Sequence, residues 1–192
     1  MTSREKILAA VKANKPALTE MPEVTIPVSY DNLVERFQEV ATAIGAKVYR
    51  VADYTEVKSQ IASSFDTSLR IISSLTEFAD MAETDLAGLD PHTFADVELA
   101  IIKGEIGVAE NGASWVPENN LQHRVMPFIC QHLAIILDKN RFVPSMHQAY
   151  EKIGAADYGY GAFIAGPSKT ADIEQSLVLG AHGPRSLSVF VI

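Results

Sequence analysis

Cysteine is almost missing from this chain of 192 residues, where Cys130 stands alone. No internal disulfide can form, and no all-cysteine zinc or iron–sulfur site can be built from this chain by itself. Basic residues are scarce as well, 16 Lys and Arg against 24 Asp and Glu, for a formal charge of −8. That balance argues against non-specific nucleic-acid binding and against a polybasic membrane patch. Long apolar runs are also lacking: no segment approaches the ~20 uninterrupted apolar residues of a membrane span. The opening MTSREKILAAVKANK has too short an apolar core for a secretory signal. Hydrophobic residues still make up 47% of the chain, enough for a substantial core. The sequence therefore predicts a cytoplasmic α/β protein of one domain with an appendage.

The appendage is residues 1–29. Thr2 and Glu5 fit a capping box, and Ile7, Leu8 and Val11 give a narrow apolar stripe, so a short N-terminal helical arm is expected. Pro16, Pro22 and Pro27 then mark an extended connector. The domain proper spans residues 30–192. Asp31 is the expected N-cap of a helix whose apolar positions run from Leu33 to Ile44. A strand at Lys47–Val51, a helix at Tyr54–Ser63 and a strand at Leu69–Ser73 follow. Helix alternating with strand predicts an open, largely parallel sheet flanked by helices.

The acidic stretch from Glu77 to Asp96 reads as a short helix and a solvated loop. Val97–Ile102 is apolar enough to be buried. Glu105–Val116 reads as a hairpin with Asn111-Gly112 as its two-residue turn. His132–Asp138 is a buried strand and Pro144–Ile153 a helix, with Met146, Ala149, Tyr150 and Ile153 on its inner face. Ala162–Ala165 is the next strand and Ser186–Ile192 the last.

The chemistry concentrates between those two strands. The strand breaks at Gly166-Pro167, hydroxyls and an amine follow at Ser168, Lys169 and Thr170, and a helical pattern runs from Ala171 to Gly180 with Asp172 and Glu174 in its first turn. This arrangement reads either as an anion cradle at a helix N-terminus or as a turn with a Ser/Thr cap. The loop after it carries His182, Gly183, Pro184 and Arg185. Arg185 suits bidentate carboxylate recognition, or an ion pair with Asp172 or Glu174, and His182 suits acid–base work near neutral pH. Glu110 lies in Ala109-Glu110-Asn111-Gly112, which by spacing alone reads as a hairpin turn with an exposed glutamate. His92, His123, His132 and His147 show no metal-ligand spacing, so no metal is expected.

Taken together, these stretches resemble the lactate-utilization protein C family, the LUD-domain proteins. Gly166-Pro167-Ser168-Lys169-Thr170-Ala171-Asp172-Ile173-Glu174 and Gly180-Ala181-His182-Gly183-Pro184-Arg185 match the two halves of its C-terminal signature, and Ala109–Ala113 is similar to its mid-chain Ala-Glu-Thr-Gly-Thr run, with Asn111 and Ala113 in place of the two threonines. The resemblance implies a fold like the NagB/RpiA/CoA-transferase group. It also implies a role in converting L-lactate to pyruvate beside iron–sulfur partner proteins, with the clusters on those partners. A small carboxylate or a partner would bind at the face formed by residues 166–185. In that site Arg185 would hold the carboxylate, His182 would be the acid or base, and Glu110 with Asp172 would orient it. Two other readings stay open. One is a CoA-transferase-like enzyme with Glu110 as nucleophile, which would use CoA. The other is a non-catalytic assembly subunit that docks through residues 1–29.

Overall fold

The structure is a computed structural model that describes residues 2–20, 22, 28–156, 158–171 and 177–192. In chain order its elements begin with helices α1 (Ser3–Ala13) and α2 (Leu33–Ala43), strand β1 (Lys47–Arg50), helix α3 (Tyr54–Ser64) and strands β2 (Ile71–Ser73), β3 (Leu99–Lys103), β4 (Ile106–Val108) and β5 (Ala113–Pro117). Then come α4 (Met126–Ile129), β6 (His132–Leu137), β7 (Phe142–Val143), α5 (Met146–Ile153), β8 (Gly161–Ile164), β9 (Lys169–Ala171), β10 (Leu177–Leu179) and β11 (Ser186–Val191).

The central sheet has five strands in the order β1-β11-β6-β3-β2. Every pairing in it is parallel, with Ser186 opposite His132 and Leu99 opposite His132 where β11, β6 and β3 begin. A parallel sheet buries both faces of its inner strands, which is why β3 and β6 read as nearly continuous apolar runs. Ala100, Ile102, Leu133, Ile135, Leu187 and Val189 point to the face covered by Phe37 and Ala41 of α2. The alternate residues Leu99, Ile101, Ala134, Ile136 and Phe190 point to the face covered by Val57 and Ile61 of α3. The predicted open parallel sheet flanked by helices is what forms.

Helix starts follow local chemistry, with one shift of position. The capping box at Thr2 and Glu5 closes α1, none of whose residues is buried. The N-cap of α2 is Asn32, not Asp31: Asn32 Oδ1 accepts from the N–H groups of Val34 and Glu35 at 3.1 and 3.2 Å. The extended backbone at Asn32 brings its side chain over the orphan N–H groups, and Asp31 lies one residue too far out. Asp53 caps α3 in the same way.

The acidic stretch is more than a solvated loop. It holds two 3-10 turns, Thr76–Phe78 and Pro91–Phe94, where a short helix was expected. Phe78, Leu86 and Phe94 within it are fully buried. Arg70 closes the segment over the core: its guanidinium donates to both carboxylate oxygens of Glu83 at 3.0 and 2.9 Å and to Asp96 at 2.6 Å. The acidic side chains therefore anchor a lid whose inner side is apolar.

A second sheet, β7-β4-β5-β8, packs beside the first. The expected hairpin is present as β4 and β5, but its loop spans residues 109–112 and not the Asn111-Gly112 pair alone. Ala109 and Glu110 donate their N–H groups to Val143 and Pro144 at 2.9 and 3.1 Å. Pairing with the neighbouring segment thus draws both residues out of the hairpin ladder. Trp115 lies in the core between this sheet and α5, against Phe163 and Tyr158.

The helix expected from Ala171 to Gly180 does not form at either described end. Lys169–Ala171 and Leu177–Leu179 are antiparallel strands, with Thr170 opposite Val178. Gly166 and Gly180 both have positive φ, 74° and 80°, and turn the chain into and out of this ribbon. The Ser168 N–H donates to Pro184 O at 2.8 Å, and the Gly180 N–H to Ser168 O at 3.0 Å. These cross-links override the helical spacing of the local sequence. Residues 172–176, and with them Asp172 and Glu174, lie outside the described residues.

Candidate functional site

The signature residues converge on one cavity of about 330 Å³, lined by Phe128, Gly166, Ser168, Lys169, His182 and Gly183 among others. Its floor includes Leu133 and Leu187, the second residues of β6 and β11. The cavity therefore lies at the N-terminal edge of the central sheet. In open α/β sheets ligands usually sit at the carboxyl edge. Its polar groups are largely engaged by the fold. Lys169 Nζ donates to Ile44 O at 2.5 Å and so satisfies a carbonyl at the C-terminus of α2. Thr170 Oγ1 donates to Val178 O at 3.2 Å. Gly183 approaches Ser168 so closely that a Cβ there would lie 3.2 Å from Ser168 Cβ. His182 is exposed at the rim. A strand starts at Lys169, so among the described residues no helix N-terminus follows Ser168 to supply a cradle of N–H groups.

Arg185 is separated from this cavity. Its N–H donates to Gln131 O at 2.9 Å, and its guanidinium faces Glu98 Oε1 at 3.6 Å. Among the described residues Arg185 thus pairs across β11 and β6 with the residue that precedes β3, while the partners read from the sequence, Asp172 and Glu174, lie outside the described residues. Glu110 sits in the β4–β5 loop, half-buried, with its Oε1 accepting from the Met146 N–H at 2.7 Å. It caps the first turn of α5 and does not line the signature cavity.

The mid-chain run and the C-terminal signature nonetheless meet the same helix. A Cβ on Gly112 would lie 2.8 Å from the Ala41 backbone, and one on Gly166 would lie 2.9 Å from Ile44 O. Ala41 and Ile44 are one turn apart at the end of α2, so both motifs are built to let backbone press on that helix.

A second constellation was not legible in the sequence. Ser186 Oγ lies 2.5 Å from His132 Nδ1, and His132 Nε2 lies 3.4 Å from Glu98 Oε1. These residues stand at the starts of three neighbouring strands and border a cavity of about 250 Å³ shared with Lys47, Tyr49 and Phe65. Burial lowers the His132 pKa below its ordinary value of 6.5, and the positive charges of Arg185 and Lys47 add to that, against an opposing pull from Glu98. The only signal in the sequence was a polar first residue on each apolar strand, HLAIIL and SLSVFV. Cys130 is buried beneath the sheet, and burial pushes its thiol up to about 12. Among the described residues no group of three or more His, Cys, Asp or Glu side chains is placed to hold a metal ion.

Fold and site together define an open parallel α/β domain with an appended mixed sheet and a glycine-bounded ribbon. The chain belongs to the LUD-domain family, whose model matches residues 72–192. It is 26% identical to the uncharacterized protein NMB1437 of Neisseria meningitidis serogroup B, over the whole chain and 94% of that protein. Lactate utilization protein C of Oceanobacillus iheyensis is 25% identical over 99% of this chain and 98% of its own length. Lactate utilization protein C of Geobacillus thermodenitrificans is 36% identical, over 54% of this chain and 45% of its own length. A crystal structure of a DUF162 family protein from Deinococcus radiodurans superposes with a TM-score of 0.62 at 17% identity, covering 83% of this chain and 95% of that one. No helix among the described residues is long and apolar enough to cross a membrane.

Proposed function

We propose that this chain is a cytoplasmic component of lactate utilization that works beside iron–sulfur proteins in the oxidation of L-lactate to pyruvate. The observation that carries the reading is the alignment, nearly end to end, with a relative named lactate utilization protein C. One cysteine, buried, leaves this chain no thiolate set for a cluster, so the electron-carrying groups belong to partners. The face around Gly166, Ser168, His182 and Gly183 is the contact for a small carboxylate or for the partner. Its wall is apolar, with Phe128 42% exposed, and its donors are the Ser168 hydroxyl and the His182 ring. Lys169 holds the end of α2, so it shapes the face and leaves ligand contact to those neighbours.

Affinity purification of the tagged chain from lactate-grown cells under anaerobic conditions tests this. Cysteine-rich, iron-containing proteins in fixed ratio are the expected result, lost in a Ser168→Trp variant that fills the face. Elution of the chain alone and free of iron would remove the partner reading.

A further inference from the structure

The cavity at the start of β3, β6 and β11 lies on the α3 face, opposite the signature cavity. His132 and Leu133 are consecutive residues of β6, and Ser186 and Leu187 of β11. Strand alternation sends the first of each pair to one face and the second to the other. The geometry on the α3 face is set by backbone: Ser186 is paired with His132 at the head of a parallel ladder that continues to Val191 and Leu137. A pair held this way needs little reorganisation to act. Ser186 Oγ is within 2.5 Å of Nδ1, and the imidazole's other nitrogen faces the Glu98 carboxylate. That is the order nucleophile, base and orienting acid.

We propose that Ser186 is the nucleophile of an acyl-transfer site for small acyl esters or thioesters, with His132 as its general base and Glu98 as a positioning residue. Ser186 Oγ attacks the acyl carbonyl carbon and its proton passes to His132 Nδ1. The bond to the leaving alcohol or thiol breaks, and that group takes the proton from His132. Water, deprotonated by the same imidazole, then releases the acid and restores the hydroxyl. The cavity of about 250 Å³ limits the acyl group to a short one, and Tyr49 and Phe65 give it an apolar wall. Lys47 is the cation that shares this space and is the candidate partner for the developing oxyanion. A neutral imidazole is what the base role needs. Of the charged groups around the ring, Arg185 and Lys47 favour that form and Glu98 opposes it, while Asp66 borders the same cavity.

Diisopropyl fluorophosphate tests the site on the full chain, because phosphorylation of Ser186 expels fluoride and is read as a mass increase. The expected result is a one-to-one adduct that peptide mapping places on Ser186 and that Ser186→Ala lacks. His132→Gln should slow labelling at least ~tenfold, since a general base contributes that much or more. The wild-type rate should climb as pH rises through the His132 titration, below 6.5. Circular dichroism establishes that each variant is folded. Absence of an adduct on the folded chain would overturn the proposal. So would equal labelling rates in wild type and His132→Gln, or a rate flat with pH, because either would show only an accessible hydroxyl. These outcomes do not depend on partner binding at the signature face.

Discussion

Glu110 and Met146 are joined by a hydrogen bond of 2.7 Å, from the Met146 N–H to the Glu110 carboxylate. The bond crosses from the β4–β5 loop to the first residue of α5. It replaces the side-chain cap that Ser145, the formal N-cap, does not supply. A carboxylate at a helix N-terminus satisfies an orphan N–H and complements the helix dipole.

Glu110→Ala should therefore destabilise the fold by about 1 kcal/mol, the usual cost of a lost N-cap. Glu110→Gln should recover most of that, because an amide oxygen still accepts. Urea denaturation measures both. The nucleophile reading of Glu110 predicts something else: an acyl-CoA-dependent mass adduct on wild type that Glu110→Gln lacks. A stability loss without any adduct across a panel of acyl-CoA donors would leave Glu110 with the helix-capping role alone.

Gly112 should tolerate no side chain. Its φ is 69°, and a Cβ would stand 2.8 Å from the Ala41 backbone. Backbone strain and overpacking add, so Gly112→Ala should cost roughly 2 kcal/mol or more. The denaturation midpoint should fall with the m-value unchanged. A neutral effect would mean that α2 yields at this contact.

Arg70 should be the residue whose loss frees the 76–96 segment. It binds Glu83 twice, Asp96 once and the Thr93 carbonyl, with its side chain only 22% exposed. Those two carboxylates hold the guanidinium firmly protonated, well above its ordinary range. Arg70→Ala should cost about 2 kcal/mol, in the range of hydrogen bonds to charged groups. Limited proteolysis should then cut between Glu83 and Asp96. Arg70→Lys should fall short of rescue, since an ammonium cannot reproduce the paired contact with Glu83.

His132 should make the fold less stable in mild acid. An unfolded imidazole takes up its proton around 6.5, whereas the folded one resists until lower pH. Just below 6.5 the unfolded state binds more protons, so stability falls as pH drops through that window. Denaturation curves at about pH 7 and about pH 5 should show the loss, and His132→Gln should reduce it. An identical slope in the variant would remove His132 as its source.

Much of this architecture was legible from local pattern. Unbroken apolar runs such as Leu133–Leu137 announce strands buried on both faces, and helical stripes announce α2 and α3. Legibility failed where distant pairing decides. The segment after Ser168 carries helical spacing, yet Gly180 bonds back to Ser168 and the described ends pair as strands. The acidic run hid Phe78, Leu86 and Phe94 because their partners lie elsewhere in the chain.

The sequence by itself determined the class of fold, the two glycine-bounded motifs and the family resemblance, because those depend on residue type and short-range spacing. Only the tertiary structure decided which polar residues meet. Arg185 goes to Glu98, and Glu110 goes to α5. Ser186 meets His132 across 54 positions of sequence because parallel strand order and register bring their strand heads together. Register in a sheet is a long-range property, set by which apolar faces can be buried at once, and no window of local sequence contains it.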